Sequence, residues 1–274
     1  MAMATNRSKA DDGPDDTAQF AASHSVDAFH HGGFYLVQPE GKGHRAGLDA
    51  MLLAALVPDD AAGRLADLGA GAGAAGFAVA NRVADLRVAL IERSALMVEC
   101  ASRSMELPQN RHLASRISVL QADVALGGRA RIAAGLADSL YDHVIMNPPF
   151  NDSTDRTTPD NLKAEAHAMT DQMFSQWIRT ACAIARPGGQ LSLIARPHSL
   201  AEIISACDRR FGGLQVTPVH PRPGHNAIRI LLTAIKASRA RLALCPPLFV
   251  HDGTERAFSA RVEELSNGRA SLKR

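Results

Sequence analysis

Residues 1–25 are polar and poor in large apolar side chains, and they predict a disordered tail. The hydrophobic pattern begins after it. "GGFYLVQPEGKGHRAG" predicts a short strand pair around a Pro/Gly turn, and "LDAMLLAALVP" predicts a buried helix that stops before Pro58. From there strand and helix alternate. Strands are predicted at "RLADL", "RVALIE", "RISVLQAD" and a fourth run ending in Val144, Ile145 and Met146. Helices are predicted at "AAGFAVANRV" and "ALMVECASRSMEL" between the first three strands, and at "DQMFSQWIRTACAIA" after the fourth. The turn Pro187-Gly188-Gly189 leads to the strand "QLSLIA", the helix "LAEIISACDRRF" and the strands "LQVTPVH" and "AIRILLTAIKA". Such alternation argues for an α/β fold with a doubly wound, mostly parallel sheet of seven strands. "PRPGHN" is too short for a crossover, so the last two strands are predicted as one antiparallel edge pair. The chain divides accordingly into the tail (1–25), a strand/helix extension (26–60), the α/β domain (61–250) and a C-terminal extension (251–274).

Composition adds bounds. Aromatic residues make up only 4% of 274, so the core must be aliphatic and alanine-rich. No apolar run is long enough for a signal peptide or a membrane span, which predicts a cytoplasmic protein without membrane attachment. Cys100, Cys182, Cys207 and Cys245 stand singly without ligand spacing and read as reduced, packed thiols; no metal is expected, and His30-His31 reads as plain loop. The net charge of +2 says little about partners, but residues 186–241 hold nine Lys/Arg against Glu202 and Asp208. That stretch either tracks an RNA backbone or is a solvated surface spread over several faces. Nothing in the pattern separates a monomer from a homodimer.

The chemistry lies at the predicted strand ends. Gly71-Ala72-Gly73-Ala74-Ala75-Gly76 fits G-x-G-x-x-G, and with Asp67 and Gly69 it extends to D-x-G-x-G-x-G. An acid at Asp67 repels a pyrophosphate and attracts an ammonium group. Glu92 is placed to accept from ribose hydroxyls, and Asp123 from an adenine amine. These three acids at successive strand ends suit S-adenosylmethionine; the competing reading is that each caps the helix after it. At the fourth strand end, Asn147-Pro148-Pro149-Phe150 cannot continue the strand. The Asn147 side-chain oxygen and the Pro148 carbonyl form a rigid double acceptor for an exocyclic amine, Pro149 stiffens it, and Phe150 offers a stacking face. Asn147 also falls beside the bound sulfonium in this reading.

"DLGAGAG", "IE", "AD" and "NPPF", in that order, resemble the class I S-adenosylmethionine-dependent N-methyltransferases. More closely, "QPEGKGHRAGLDAMLLAALVP", "RPGGQLSLIARP" and "VHPRPGHNAIRILLTA" are similar to the bacterial family that methylates adenine N6 beside the anticodon of a valine tRNA. The resemblance covers roughly residues 30–250 and implies a Rossmann-like methyltransferase fold, S-adenosylmethionine as cofactor and tRNA as partner. It also implies that the segment before the glycine loop closes over the cofactor, with Arg45, Gly47 and Asp49 at its edge. The chain departs from relatives at Leu48 and Ala74, where a hydroxyl residue is usual, and at Phe150, often tyrosine. Similar proteins methylate guanine N2 in ribosomal RNA or a release-factor glutamine. Two readings from other classes stand beside these: a nicotinamide-dependent oxidoreductase using the glycine loop and Glu92, and a non-catalytic RNA-binding protein on the same fold.

Overall fold

The computed structural model describes residues 24–40, 47–149, 173–253 and 257–272. A hairpin of β1 (His24–Phe29) and β2 (Phe34–Pro39) precedes α1 (Leu48–Ala54). Then follow β3 (Gly63–Leu68), α2 (Ala74–Arg82), β4 (Leu86–Glu92), α3 (Ala95–Glu106), β5 (Ile117–Gln121), α4 (Gly128–Ala133) and β6 (Tyr141–Met146). The second half contains helix α5 (173–184), β7 (Ala185–Ala195), α6 (Leu200–Cys207), β8 (Phe211–His220), β9 (Arg229–Lys236), two short strands β10 (Ala243–Leu244) and β11 (Leu248–Phe249), and α7 (Ala260–Ser266).

The main sheet runs β10-β8-β9-β7-β6-β3-β4-β5, with β11 also on β8, and makes nine strands rather than seven. The predicted antiparallel partners β8 and β9 do pair. In addition, β9 is antiparallel to β7 and lies between β8 and β7, so the pair forms one end of the sheet, bordered on its outer side by the two-residue β10 and β11 alone among the described residues. The reason is connectivity: α6 carries the chain over to β8, leaving a gap that β9 fills on its return.

Both faces of the sheet are apolar because alternate residues of each strand point to opposite sides. Leu86, Val88 and Leu90 of β4 join one core with α1, α2 and Val262 and Leu265 of α7. Ile91 joins the other with Phe174 and Ile178 of α5 and Ile203 of α6. The core is aliphatic, as the composition requires.

Three elements differ from the sequence reading. Phe34–Pro39 pairs with His24–Phe29, upstream of it, so the hairpin starts earlier than expected. Strand β7 runs through Pro187-Gly188-Gly189 instead of starting at Gln190; a register shift against β6 between Tyr141 and His143 absorbs the irregularity. Strand β5 stops at Gln121, two residues before Asp123. All four cysteines are free thiols, and burial pushes Cys207 up to about 12. Among the described residues no group of three His, Cys, Asp or Glu is placed to hold a metal ion, and no helix is long and apolar enough to cross a membrane.

Candidate functional site

In a parallel sheet the carboxyl ends of the strands share one edge, and the loops leaving them form a crevice. Here Leu68 is opposite both Ile91 and Met146 in the registers of β3 with β4 and β6. Gly69, Glu92 and Asn147 therefore leave the sheet side by side.

The glycine loop is folded inward. Gly69 and Ala70 donate their N–H groups to the Ile91 carbonyl at 2.8 and 3.1 Å, and Gly73 donates to the Ala70 carbonyl at 2.9 Å. Gly71 N–H donates to Glu92 Oε2 at 3.0 Å, and Gly76 N–H to Asp67 Oδ2 at 2.9 Å. Five amides of the loop are thus already engaged within the chain. A pyrophosphate would have to compete with two carboxylates for them, which counts against the dinucleotide reading.

Gly69, with φ of 68°, has a further constraint: a Cβ there would lie 2.4 Å from Trp177 Cη2. The only tryptophan of the chain thus packs from α5 directly on the start of the loop. The sequence reading missed this packing, because nothing local in "SQWIR" signals which loop the ring meets. At Gly71 the opposite holds: φ is 57° and no atom of the described residues lies within 4 Å of a Cβ position.

Each predicted acid binds backbone nearby. Glu92 takes Gly71 N–H with one oxygen and Ser94 N–H, at 2.8 Å, with the other. Asp123 accepts from Ala125 N–H at 2.8 Å, closing a turn just beyond β5. Asp67 is 2% exposed, and burial first, with the neighbouring Glu92 adding to it, pushes its carboxyl up to about 7 against the pull of the Gly76 hydrogen bond. The capping reading thus holds for Asp67, which takes an N–H of the first turn of α2, whereas Glu92 holds the glycine loop and Asp123 a turn short of α4. Glu92 and Asp123 also remain partly exposed at the crevice, and a carboxylate with one donor per oxygen still has acceptor capacity.

Asn147 is different. Its Oδ1 is buried and has no hydrogen-bond partner among the described residues, directly after β6 and beside the loop. Buried side-chain oxygens are nearly always satisfied, and one that is not costs about 1–3 kcal/mol, so an orphan at a crevice calls for an absent donor. Pro148 behind it is buried and Pro149 exposed, while Phe150 lies outside the described residues, as does Arg45.

The other predicted rim residues come from α1. Gly47 caps α1 at its amino end with open space at its Cβ position. Asp49 accepts a hydrogen bond from Arg229 Nε of β9 at 2.8 Å, an ion pair that ties α1 to the rim of the sheet. Because β9 runs antiparallel, its first residue reaches the same edge as the glycine loop.

The family model of the methyltransferase small domain matches residues 45–219. A crystal structure of a predicted O-methyltransferase, protein Atu636 of Agrobacterium tumefaciens, is 54% identical, with a TM-score of 0.72 over 82% of this chain and 98% of that one. A tRNA1(Val) (adenine(37)-N6)-methyltransferase of Porphyromonas gingivalis is 26% identical over 77% of this chain and 82% of its own length. The TYW2 of M. jannaschii, solved with AdoMet, is only 10% identical, and with a TM-score of 0.52 over 78% of this chain and 85% of that one it shares the fold. The chain belongs to the methyltransferase small-domain family.

Proposed function

We propose that the protein is an S-adenosylmethionine-dependent N-methyltransferase acting on the N6 amine of adenine in tRNA, near the anticodon. The single observation that carries this reading is the orphaned Oδ1 of Asn147, an acceptor held where a donor must come from outside. An amine is such a donor; a hydroxyl nucleophile would use one hydrogen, whereas an exocyclic amine has two to share between Asn147 Oδ1 and the Pro148 carbonyl.

The residues present fit the cofactor. The open side of Gly71 gives room beside the loop, Glu92 and Asp123 have acceptor capacity for ribose hydroxyls and an adenine amine, and Asp67 supplies latent negative charge. Arg45, Gly47 and Asp49 belong to the segment that would border it. When bound, S-adenosylmethionine supplies an electrophilic methyl group on a sulfonium.

The protein's own part is to prepare the nucleophile. An adenine amine has its lone pair delocalised into the ring. Two acceptors drawing on its hydrogens, Asn147 Oδ1 and the Pro148 carbonyl, favour a tetrahedral nitrogen and free that lone pair. The prolines keep the acceptors at a fixed spacing, so little reorganisation is needed as charge develops. Phe150 gives the base a face to stack on.

The specific substrate rests on the similarity to the tRNA1(Val) adenine-N6 enzymes. The test is transfer of radiolabelled methyl to tRNA, ribosomal RNA and protein, each prepared from a strain lacking the gene, followed by nucleoside mass spectrometry. N6-methyladenosine in tRNA is the expected product. Label confined to ribosomal RNA or protein would overturn the substrate while keeping the chemistry, and cofactor binding without label in any fraction would favour a non-catalytic RNA-binding protein.

A further inference from the structure

The opposite edge of the sheet holds a second site, unrelated to the crevice. Arg64 of β3 stands opposite Arg87 of β4 in the strand register. The β4–β5 register, Val88 opposite Ile117, continues back by one residue to put Arg116 beside Arg87. Three arginines thus form one row across three adjacent strands, on the face that also carries Ala66 and Ala89.

They line a cavity of about 230 Å³ together with Ser115, Ser118 and Tyr141, and no acid lines it. Arg116 is held in place, its Nη1 donating to the Val83 carbonyl at 3.0 Å. The guanidinium groups of Arg64 and Arg87 make no hydrogen bond and no ion pair among the described residues, and both residues are exposed. Asp142, beside Arg64 in the sheet, is already taken by Arg186 Nη1 at 2.6 Å and by the backbone N–H of Arg64 at 2.7 Å. Like charges set directly opposite on neighbouring strands repel. A folded chain that keeps three in register around an open cavity, with hydroxyl donors beside them, has the donor set of an anion site.

We infer that this row is a phosphate-binding groove. Guanidinium forks match pairs of phosphate oxygens, and the hydroxyls of Ser115 and Tyr141 supply neutral donors that carry no charge of their own. The phosphate comes either from an RNA backbone or from a free phosphate compound. The site does not depend on the methyl-transfer reading, because Asn147, Glu92 and the glycine loop lie at the other edge.

The first measurement is the thermal unfolding midpoint of the cofactor-free full chain in inorganic phosphate against chloride at equal ionic strength. An anion bound only by the folded state raises the midpoint. Wild type should rise in phosphate, and the Arg64→Ala/Arg87→Ala double variant should show at most half of that rise while equalling or exceeding wild type in chloride, since losing two in-register cations relieves repulsion. Should the double variant fail to fold, Arg87→Ala alone, at an exposed position, should show a clearly smaller rise than wild type. No rise in wild type, or an equal rise in the variants, overturns the site. Binding of a stem-loop oligoribonucleotide as a function of salt then separates the sources. A salt dependence shallower by about 1 for each RNA phosphate that the variant no longer neutralises, with cofactor affinity unchanged, assigns the groove to RNA. Unchanged RNA binding in a variant that has stopped responding to phosphate assigns it to a free phosphate compound.

Discussion

The two edges of this sheet carry opposite chemistry on the same strands. At its amino end β3 presents Arg64, and five residues on it leads to Gly69; β4 begins near Arg87 and ends in Glu92. At the amino edge Arg64 and Arg87 have no ion-pair partner among the described residues, whereas at the carboxyl edge Asp67, Glu92 and Asp123 are all satisfied by backbone and one amide oxygen is not. The difference follows from the parallel arrangement. Helices leave from the carboxyl edge, so their free N–H groups collect there and draw carboxylates. The amino edge has no such donors to offer, and cations can sit there at less cost. The proposed reaction chemistry thus sits at the carboxyl edge, and the proposed anion recognition at the amino edge.

The sharpest way to break this comparison is to remove the orphan. Asn147→Ala should lower kcat by a hundredfold or more, about 3 kcal/mol for an acceptor used in the transition state, with cofactor affinity nearly unchanged. Single-turnover methylation and calorimetry read the two separately. Full turnover in the variant would remove Asn147 from the mechanism.

Next in size is the glycine pair. Gly69 at the carboxyl edge and Gly188 near the amino edge both adopt left-handed backbone, with φ of 68° and 79°, but only Gly69 is closed over, by Trp177. Gly188→Ala should cost about 1 kcal/mol of stability, the left-handed penalty alone. Gly69→Ala should cost about 2 kcal/mol or more, because Trp177 must also move. Urea denaturation measures both, and equal costs would mean that the tryptophan packing contributes nothing. Smaller again is Glu92→Ala, expected to weaken cofactor binding about tenfold, or about 1.4 kcal/mol, by calorimetry. Unchanged affinity would leave Glu92 as a loop clamp only.

Much of this was legible in the chain itself. The periodicity placed every strand of the main sheet except the two-residue β10 and β11, and D-x-G-x-G-x-G and Asn-Pro-Pro located the crevice, because both depend on local backbone rules. What stayed hidden depends on long-range packing. Trp177 meets Gly69 across 108 positions of sequence, and Arg229 meets Asp49 across 180. The interior position of β9 depends on where α6 delivers β8, which no segment encodes alone. The arginine row was legible only after the register was known: Arg64, Arg87 and Arg116 are 23 and 29 residues apart, and the basic stretch singled out from composition, 186–241, lies elsewhere. The acids are legible as residues at or just beyond strand ends, but their backbone partners required the loop's fold.

Asp67 gives the most discriminating effect, since it separates clamp from ligand contact within one residue. Its carboxyl is raised from 3.8 to about 7 by burial, so the folded protein holds a proton that the unfolded chain releases. The stability that this proton contributes is complete below about pH 4 and is lost as pH rises through about 7. Asp67→Asn can still accept from Gly76 N–H but cannot titrate, so its stability curve should be flatter across that window, and wild type should lose stability relative to it steadily from about pH 4 to about pH 7. Cofactor affinity should move the other way. An uncharged acid does not attract an ammonium group and an ionised one does, so wild-type affinity should tighten as pH rises through about 7, and that of Asp67→Asn should not. Denaturation and calorimetric titrations at three pH values across the window give both curves. If stability changes as described while affinity follows the same pH course in both proteins, Asp67 only clamps the first turn of α2, and the ammonium end of the ligand is held by other groups of the crevice.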